Sequence, residues 1–335
     1  MPMLDRFFDA TFFSLDGVSA DCIARETHGR FASRPYRGVG SCNLPRMRET
    51  PSRRRFLQRT AAASIGVAAA GRSASADGAQ SMALAGSTYV DARKVLLWES
   101  TRKEFREAVE GNTLKAMIVP TGSTEQHNEH LAMIQDTASV TLVAQQAALS
   151  LFPQVMVATP VPVGISPHWM DRKGTLTLRK ETFLAVVYEI CESLKTHGIT
   201  RILILNGHGG NVAPLQESVA EFRKKLGINL RAHAYWDAYS PDIVKKYMAS
   251  GRAPGHAGEF ETSFAMAAFP ERVRWEGVDY AKVKGRLNIK EPQSAVDDEQ
   301  FHNDAKLSAT AKGEAMISIA VTWTADVLRQ MIAEG

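Results

Sequence analysis

Two short apolar runs constrain this chain most, because each ends in a turn that carries metal-type ligands. The first is Ala116, Met117, Ile118 and Val119, followed by Pro120 and a Gly122–Ser123 turn. The second is Ile202, Leu203, Ile204 and Leu205, which runs straight into Asn206, Gly207, His208, Gly209, Gly210 and Asn211. Apolar runs of this length bounded by turn residues read as buried strands. Helical patterns alternate with them, which predicts an α/β architecture. Strands are expected at residues 116–119, 155–160, 201–205 and 229–235. Helices are expected at 137–151, 180–197, 214–226, 261–268 and 310–332. Residues 163–175 read as a loop, and the polar stretch 278–304 as a long surface or interface loop. No internal repeat is present.

The chemistry collects where strands end. After the first run come Glu125, His127, His130 and Asp136. Glu125 and His127 are two apart, so in extended backbone they face the same way. Asp136 stands at the start of a helical pattern, where a carboxylate can cap the helix and still offer an oxygen to a metal. Nitrogen with carboxylate suits Zn, Mn or Fe(II), and thiolate ligands are absent. The glycines around His208 permit tight turns and close backbone approach, at the strand end where open α/β sheets build their sites. Their spacing is neither GxGxxG nor GxxxxGK[ST], which excludes a nucleotide-binding loop. A third cluster, Gly255 to Ser263, holds His256, Glu259 and Glu261. Glu259 suits a helix first turn, and Glu261, two residues on, lies on another face. His168, Trp169 and Trp236 sit at strand exits and are candidates to line a substrate pocket, with burial in the core the competing reading for the two tryptophans.

The four segments PTGSTEQHNEHL with its following Asp, PHWMDRKGTLTL, NGHGGN and HAGEFETS occur in one order. In that order the chain resembles the creatininase family of metal-dependent amidohydrolases over about residues 85–335. The resemblance implies a three-layer sandwich with a central, mostly parallel sheet flanked by helices. It also implies two divalent metal ions (Zn, Mn or Fe) at the sheet's C-terminal edge, and hydrolysis of a C–N bond by metal-activated water. Glu125, Asp136 and His208 would hold one metal. His127, the shared Asp136 and a further carboxylate would hold the other. His256 is the candidate proton donor to the leaving nitrogen, Glu261 the alternative, and Asn206 and His130 support the ligands from behind. The chain departs from creatinine amidohydrolase at Gly210, where that enzyme has a metal-binding Glu. Glu261 is the expected replacement. Creatinine itself is therefore a doubtful substrate, and a non-peptide or cyclic amide is the expected class. A metallopeptidase of the same family and a non-catalytic, exported ligand-binding protein are the alternatives. The family resemblance also implies a homo-oligomer, as large as a hexamer.

The N-terminus reads separately. Ser52, three consecutive arginines, Phe56 and Leu57 form a twin-arginine signature. An alanine-rich run (60–71) and an Ala74–Ser75–Ala76 cleavage pattern follow it. The run is too short and too alanine-rich for a membrane span. This predicts residues 47–76 as an export signal and 77–335 as the catalytic domain, delivered to the periplasm or beyond by the twin-arginine machinery. Residues 1–46 read as a non-native or disordered extension, with translation starting near Met47; N-terminal sequencing of the unprocessed protein tests this, and a start at Met1 sinks it. Residues 1–76 hold 12 Arg, no Lys and 6 acidic residues, so the remainder has 28 basic against 30 acidic residues, net −2. No basic surface then argues for nucleic acid. Cys191 is the one cysteine beyond the signal, so no intrachain disulfide is expected there, and its apolar helical setting places it in the core.

Overall fold

The computed structural model describes residues 92–285 and 292–334. All of these lie in the compact unit Ala79–Gly335. The extension, the twin-arginine signal and the linker at 77–87 lie outside the described residues. The elements in chain order are α1 (Arg102–Glu110), β1 (Ala116–Thr121), α2 (Gln135–Ser150), β2 (Val155–Val157), α3 (Lys180–Thr196), β3 (Arg201–Asn206), α4 (Gly209–Leu226), β4 (Asn229–Ala234), α5 (Pro241–Tyr247), α6 (Glu259–Ala268), α7 (Tyr280–Val283), α8 (Pro292–Ala305) and α9 (Thr310–Ala333).

The four strands pair in parallel in the order β2-β1-β3-β4. Successive residues face opposite sides, and the side chains sort accordingly. Ala116, Ile118, Leu203 and Leu205 join α2, α6 and α9 in one core, around Val140, Phe260, Phe264 and Leu328. Met117, Val119, Ile202 and Ile204 join α3 and α4 in the other, around Phe183, Val187, Cys191 and Leu215. This is the α/β architecture that the alternating pattern predicts, in the three-layer sandwich that the family resemblance implies, with a sheet buried on both faces. Cys191 is fully buried, as its setting predicts. Among the described residues no helix is long and apolar enough to cross a membrane.

Several boundaries differ from expectation for identifiable reasons. β1 passes through Pro120, which pairs with Leu205; proline brings no N–H, yet its carbonyl accepts from Val161 N–H at 2.9 Å. β2 stops at Val157, three residues short of the expected end. α4 starts at Gly209, not at Pro214, so the glycines form its first turn and Pro214 lies inside the helix. α1 has a capping box: Glu104 N–H donates to Thr101 Oγ1, and Thr101 N–H donates to Glu104 Oε2. The largest correction is at 278–304, which is not a long loop, since it contains α7 and α8. α8 is anchored by tertiary ion pairs, Asp298 to Arg172 and Asp304 to Arg252, and such contacts leave no helical periodicity in the sequence.

Candidate metal centre

The strand order reverses direction between β1 and β3, and the crevice beyond their C-terminal ends is where such sheets bind ligands. Thr121 and Asn206 are paired at those ends. Asn206 shapes the turn that follows: its Nδ2 donates to the His208 carbonyl at 2.7 Å, and His208 N–H donates to its Oδ1 at 3.2 Å. His208 leaves this turn immediately before α4 begins.

Asp136 is the hub. It lies in the first turn of α2, whose N-cap position is Ile134, so it does not cap the helix as expected. Its Oδ1 is 3.0 Å from His127 Nε2, and its Oδ2 is 2.9 Å from His208 Nδ1. The second nitrogen of each imidazole faces backbone oxygen: His127 Nδ1 is 3.1 Å from the Glu125 carbonyl and His208 Nε2 is 3.0 Å from the Ile165 carbonyl. A carbonyl can only accept, so those nitrogens carry the protons and the other two face the centre. Glu125 Oε1 is 3.4 Å from His208 Nδ1, while Glu125 Oε2 is buried without a partner. Glu261 Oε2 is 3.7 Å from His127 Nε2 and accepts from Ala257 N–H at 2.5 Å.

These contacts define two overlapping donor groups, Glu125–Asp136–His208 and His127–Asp136–Glu261, each with its ligand atoms within 4.8 Å of one another. A third group, Glu125–His127–His256, overlaps both. Among the described residues no Lys or Arg pairs with Glu125, Asp136 or Glu261. Three buried acids, two imidazoles and an orphaned carboxylate oxygen fit a binuclear site for divalent metal.

The electrostatics reflect the crowding. Burial would lower His127, but Asp136 outweighs it and raises the imidazole to about 10. His208 is likewise raised to about 10, as the bonds to Asp136 and Glu125 overcome burial. Burial pushes Glu261 up to about 8, against the pull of His127. Asp136, despite burial, is held below the carboxylate range by His127 and His208. Burial, with His127 alongside, keeps His256 well below the ordinary histidine range.

The other expected site residues fall around this centre. Glu125, Asp136, His168, Trp169, His208, Trp236, His256 and Glu261 all line one cavity of about 370 Å³. The Trp169 ring stacks on His256 at 4.5 Å, and the His168 ring lies parallel to His208 at 6.2 Å. Trp236 also packs against the α2–α9 core. His130 stands behind the ligands, with Nε2 2.9 Å from Thr262 Oγ1. Glu259 and Glu261 do diverge: Glu259 binds Lys312 and the N–H groups of Ala249 and Ser250. Two neighbours escaped the sequence reading. Gln126 contacts His256, and Phe301 of α8 meets the His256 ring edge-on at 5.5 Å. Gln126 was visible as an amide between two ligands, whereas nothing in the sequence ties Phe301 to the site.

Fold and site together define a parallel α/β protein with a buried histidine–carboxylate centre able to hold divalent metal. The family model for creatininase (creatinine amidohydrolase) matches residues 98–328. The chain belongs to the creatininase family. It is 32% identical over 196 residues to 3-dehydro-scyllo-inosose hydrolase of Thermotoga maritima, a match covering 56% of this chain and 60% of that protein. It is 29% identical over 169 residues to the mycofactocin precursor peptide peptidase of Mycobacterium ulcerans, covering 48% of this chain and 62% of that one. The matched segments thus span about 60% of these two relatives' lengths. A solved structure described as "Creatininase Mn" superposes with a TM-score of 0.58 at 25% identity, covering 70% of this chain and 98% of that one.

Proposed function

We propose that this chain is a metal-dependent amidohydrolase that cleaves the C–N bond of a small, non-peptide or cyclic amide. The observation that carries this reading is Asp136, whose two oxygens each meet a different histidine nitrogen, at 3.0 and 2.9 Å. A carboxylate placed so would be shared between two metals, with Glu125 and His208 completing one position and His127 and Glu261 the other. Divalent metal there would supply Lewis acidity, ionising water near neutral pH and polarising the substrate carbonyl. The cavity of about 370 Å³ suits a small molecule. His168, Trp169 and Trp236 offer flat surfaces to a planar amide. The leaving nitrogen must gain a proton, because an amide anion is a very poor leaving group. His256 and Glu261 both reach the cavity and are the two groups placed to manage it.

The test is metal content together with turnover of creatinine, a formamide, a cyclic amide and a short peptide, for the wild type beside His208→Ala. Close to two metals per chain, with hydrolysis of a small amide that His208→Ala abolishes, supports the reading. Cleavage of the peptide alone would replace it with a peptidase, and metal binding without turnover of any member with a binding protein. We further propose, from the twin-arginine sequence alone, that the protein is exported in folded form with metal already loaded; finding only zinc acquired after export would count against this. Assembly into a homo-oligomer rests on the family resemblance, and solution mass measurement tests it.

A further inference from the structure

We infer that Gln126 is a positioning residue: it holds His256 as a neutral imidazole with its proton on Nδ1, so that His256 donates a hydrogen bond to the substrate. This rests on the hydrolytic reading above.

The assignment follows from one side-chain amide. Asn128 N–H donates to Gln126 Oε1 at 3.0 Å. Asn128 has φ 55°, a left-handed turn that asparagine tolerates and that folds its N–H back onto Gln126. With its oxygen engaged, the amide presents Nε2 to His256 Nε2, 2.8 Å away. An amide nitrogen only donates, so His256 Nε2 must be the bare, accepting nitrogen. The ring proton then lies on Nδ1, which faces the centre at 3.7 Å from Glu125 Oε1.

The arrangement is braced on every side. Gln126 N–H donates to the buried Thr175 Oγ1 at 3.1 Å. The His256 ring lies between Trp169 at 4.5 Å and His127 at 4.6 Å, with Phe301 against its edge at 5.5 Å. Protonating Nε2 would set two N–H groups face to face at the 2.8 Å contact. Giving up the Nδ1 proton would leave an imidazolate, a far poorer species. His256 is therefore built to donate a hydrogen bond without transferring its proton, the role of a neutral imidazole electrophile. Its partner would be the substrate carbonyl oxygen, where negative charge develops as the carbon becomes tetrahedral.

Nitrogen-15 spectra of the full-length, zinc-loaded chain read the tautomer without substrate. In the wild type we expect His256 Nε2 to be unprotonated and Nδ1 protonated. Gln126→Glu, which replaces a donor by an acceptor, moves the proton to Nε2. With metal content unchanged, it lowers kcat on the panel amide by about 100-fold. His256→Asn restores an N–H donor near the Nδ1 position and keeps kcat within about tenfold of wild type, whereas His256→Ala loses about 100-fold. A protonated Nε2 in the wild type overturns the inference, and so does a His256→Asn variant as inactive as His256→Ala with both metals bound. Failure of the wild type to hydrolyse any amide would instead overturn the hydrolytic reading, and the nitrogen shifts would still judge the tautomer.

Discussion

Gly210 lies so close to the Ile165 carbonyl that a Cβ placed on it would sit 2.0 Å from that oxygen and 2.6 Å from His208 Nε2. The same carbonyl accepts the hydrogen bond that turns His208 Nδ1 toward Asp136. Gly210 is thus a requirement of the ligand's orientation, and a glutamate could not be accommodated there without moving the 163–166 backbone. Gly210→Ala should cost about 1–3 kcal/mol by overpacking and should weaken metal binding at the His208 position. Gly210→Glu should not gain a metal. Thermal unfolding and metal content measure both, and an alanine variant with unchanged midpoint and two metals would refute the constraint.

Loading metal should expel protons. In the metal-free centre His127 and His208, each raised to about 10, and Glu261, raised to about 8, hold their protons at pH 7. All three must lose them to act as ligands, so binding should release about three protons at pH 7, and affinity should climb with pH. Calorimetry in buffers of different ionisation enthalpy counts them; release of fewer than one would refute the ligand assignment. The same shifts set the stability of the metal-free protein. The histidines stabilise it fully below their unfolded value of 6.5, and this is lost as pH rises through about 10. Glu261 costs stability as pH rises from its unfolded 4.5 through about 8. Asp136 stabilises above its unfolded value of 3.8 and ceases to in strong acid. Below 6.5 the buried His130 and His256, whose folded values are lowered, act in the opposite sense, destabilising as pH falls. The metal-free midpoint should therefore fall from pH 7 to pH 10, and a midpoint that rises across that range would contradict these assignments.

Trp169 bears on the site through both the cavity wall and the His256 ring it stacks on, at 4.5 Å and 25° between planes. Aromatic contacts of this kind contribute about 0.5–1.5 kcal/mol. Trp169→Phe should keep most of the activity. Trp169→Ala should raise KM by roughly tenfold at unchanged metal content, the size expected for about 1.4 kcal/mol of lost binding. A Trp169→Ala enzyme with wild-type KM would remove this residue from the substrate wall.

What the sequence disclosed was local. Glu125, His127, Asp136 and His208 could be read because each sits just past an apolar run, and the strand order then brings the two runs side by side at Thr121 and Asn206. Glu261 and His256 come from a third segment, placed by α6 packing against α9 and α2. α4 was read five residues late, because Gly209, Gly210 and Pro214 are turn residues by propensity and close packing against Ile165 overrides that. α8 was missed because it is polar along its length and is positioned by charge pairing with distant residues. Neither Gln126's hold on His256 nor the approach of Phe301 could be read, since both depend on distances between segments more than 100 residues or a whole helix apart.

That charge pairing supplies the last test. Arg172 donates from Nη2 to Asp298 Oδ2 at 3.2 Å and from Nη1 to Asp171, and the Arg172 and Asp298 side chains are 7% and 3% exposed. The Arg172 guanidinium also lies over the Trp169 ring, 5.7 Å from its centroid. One buried cation thus ties α8, which carries Phe301, to the loop that carries Trp169. Removing one member of a buried ion pair strands the other charge, at a cost of about 3–5 kcal/mol. Burial already pushes Asp298 above the usual carboxylate range, which marks how poorly that acid would tolerate losing its cation. Arg172→Met should therefore destabilise the protein by about that amount, loosen α8 and raise KM along with it. Arg172→Met combined with Asp298→Leu should recover part of the stability, since no charge is stranded on α8. Denaturant unfolding of the double-mutant cycle measures this, and a double variant no more stable than Arg172→Met alone would show that the pair does not hold α8 in place.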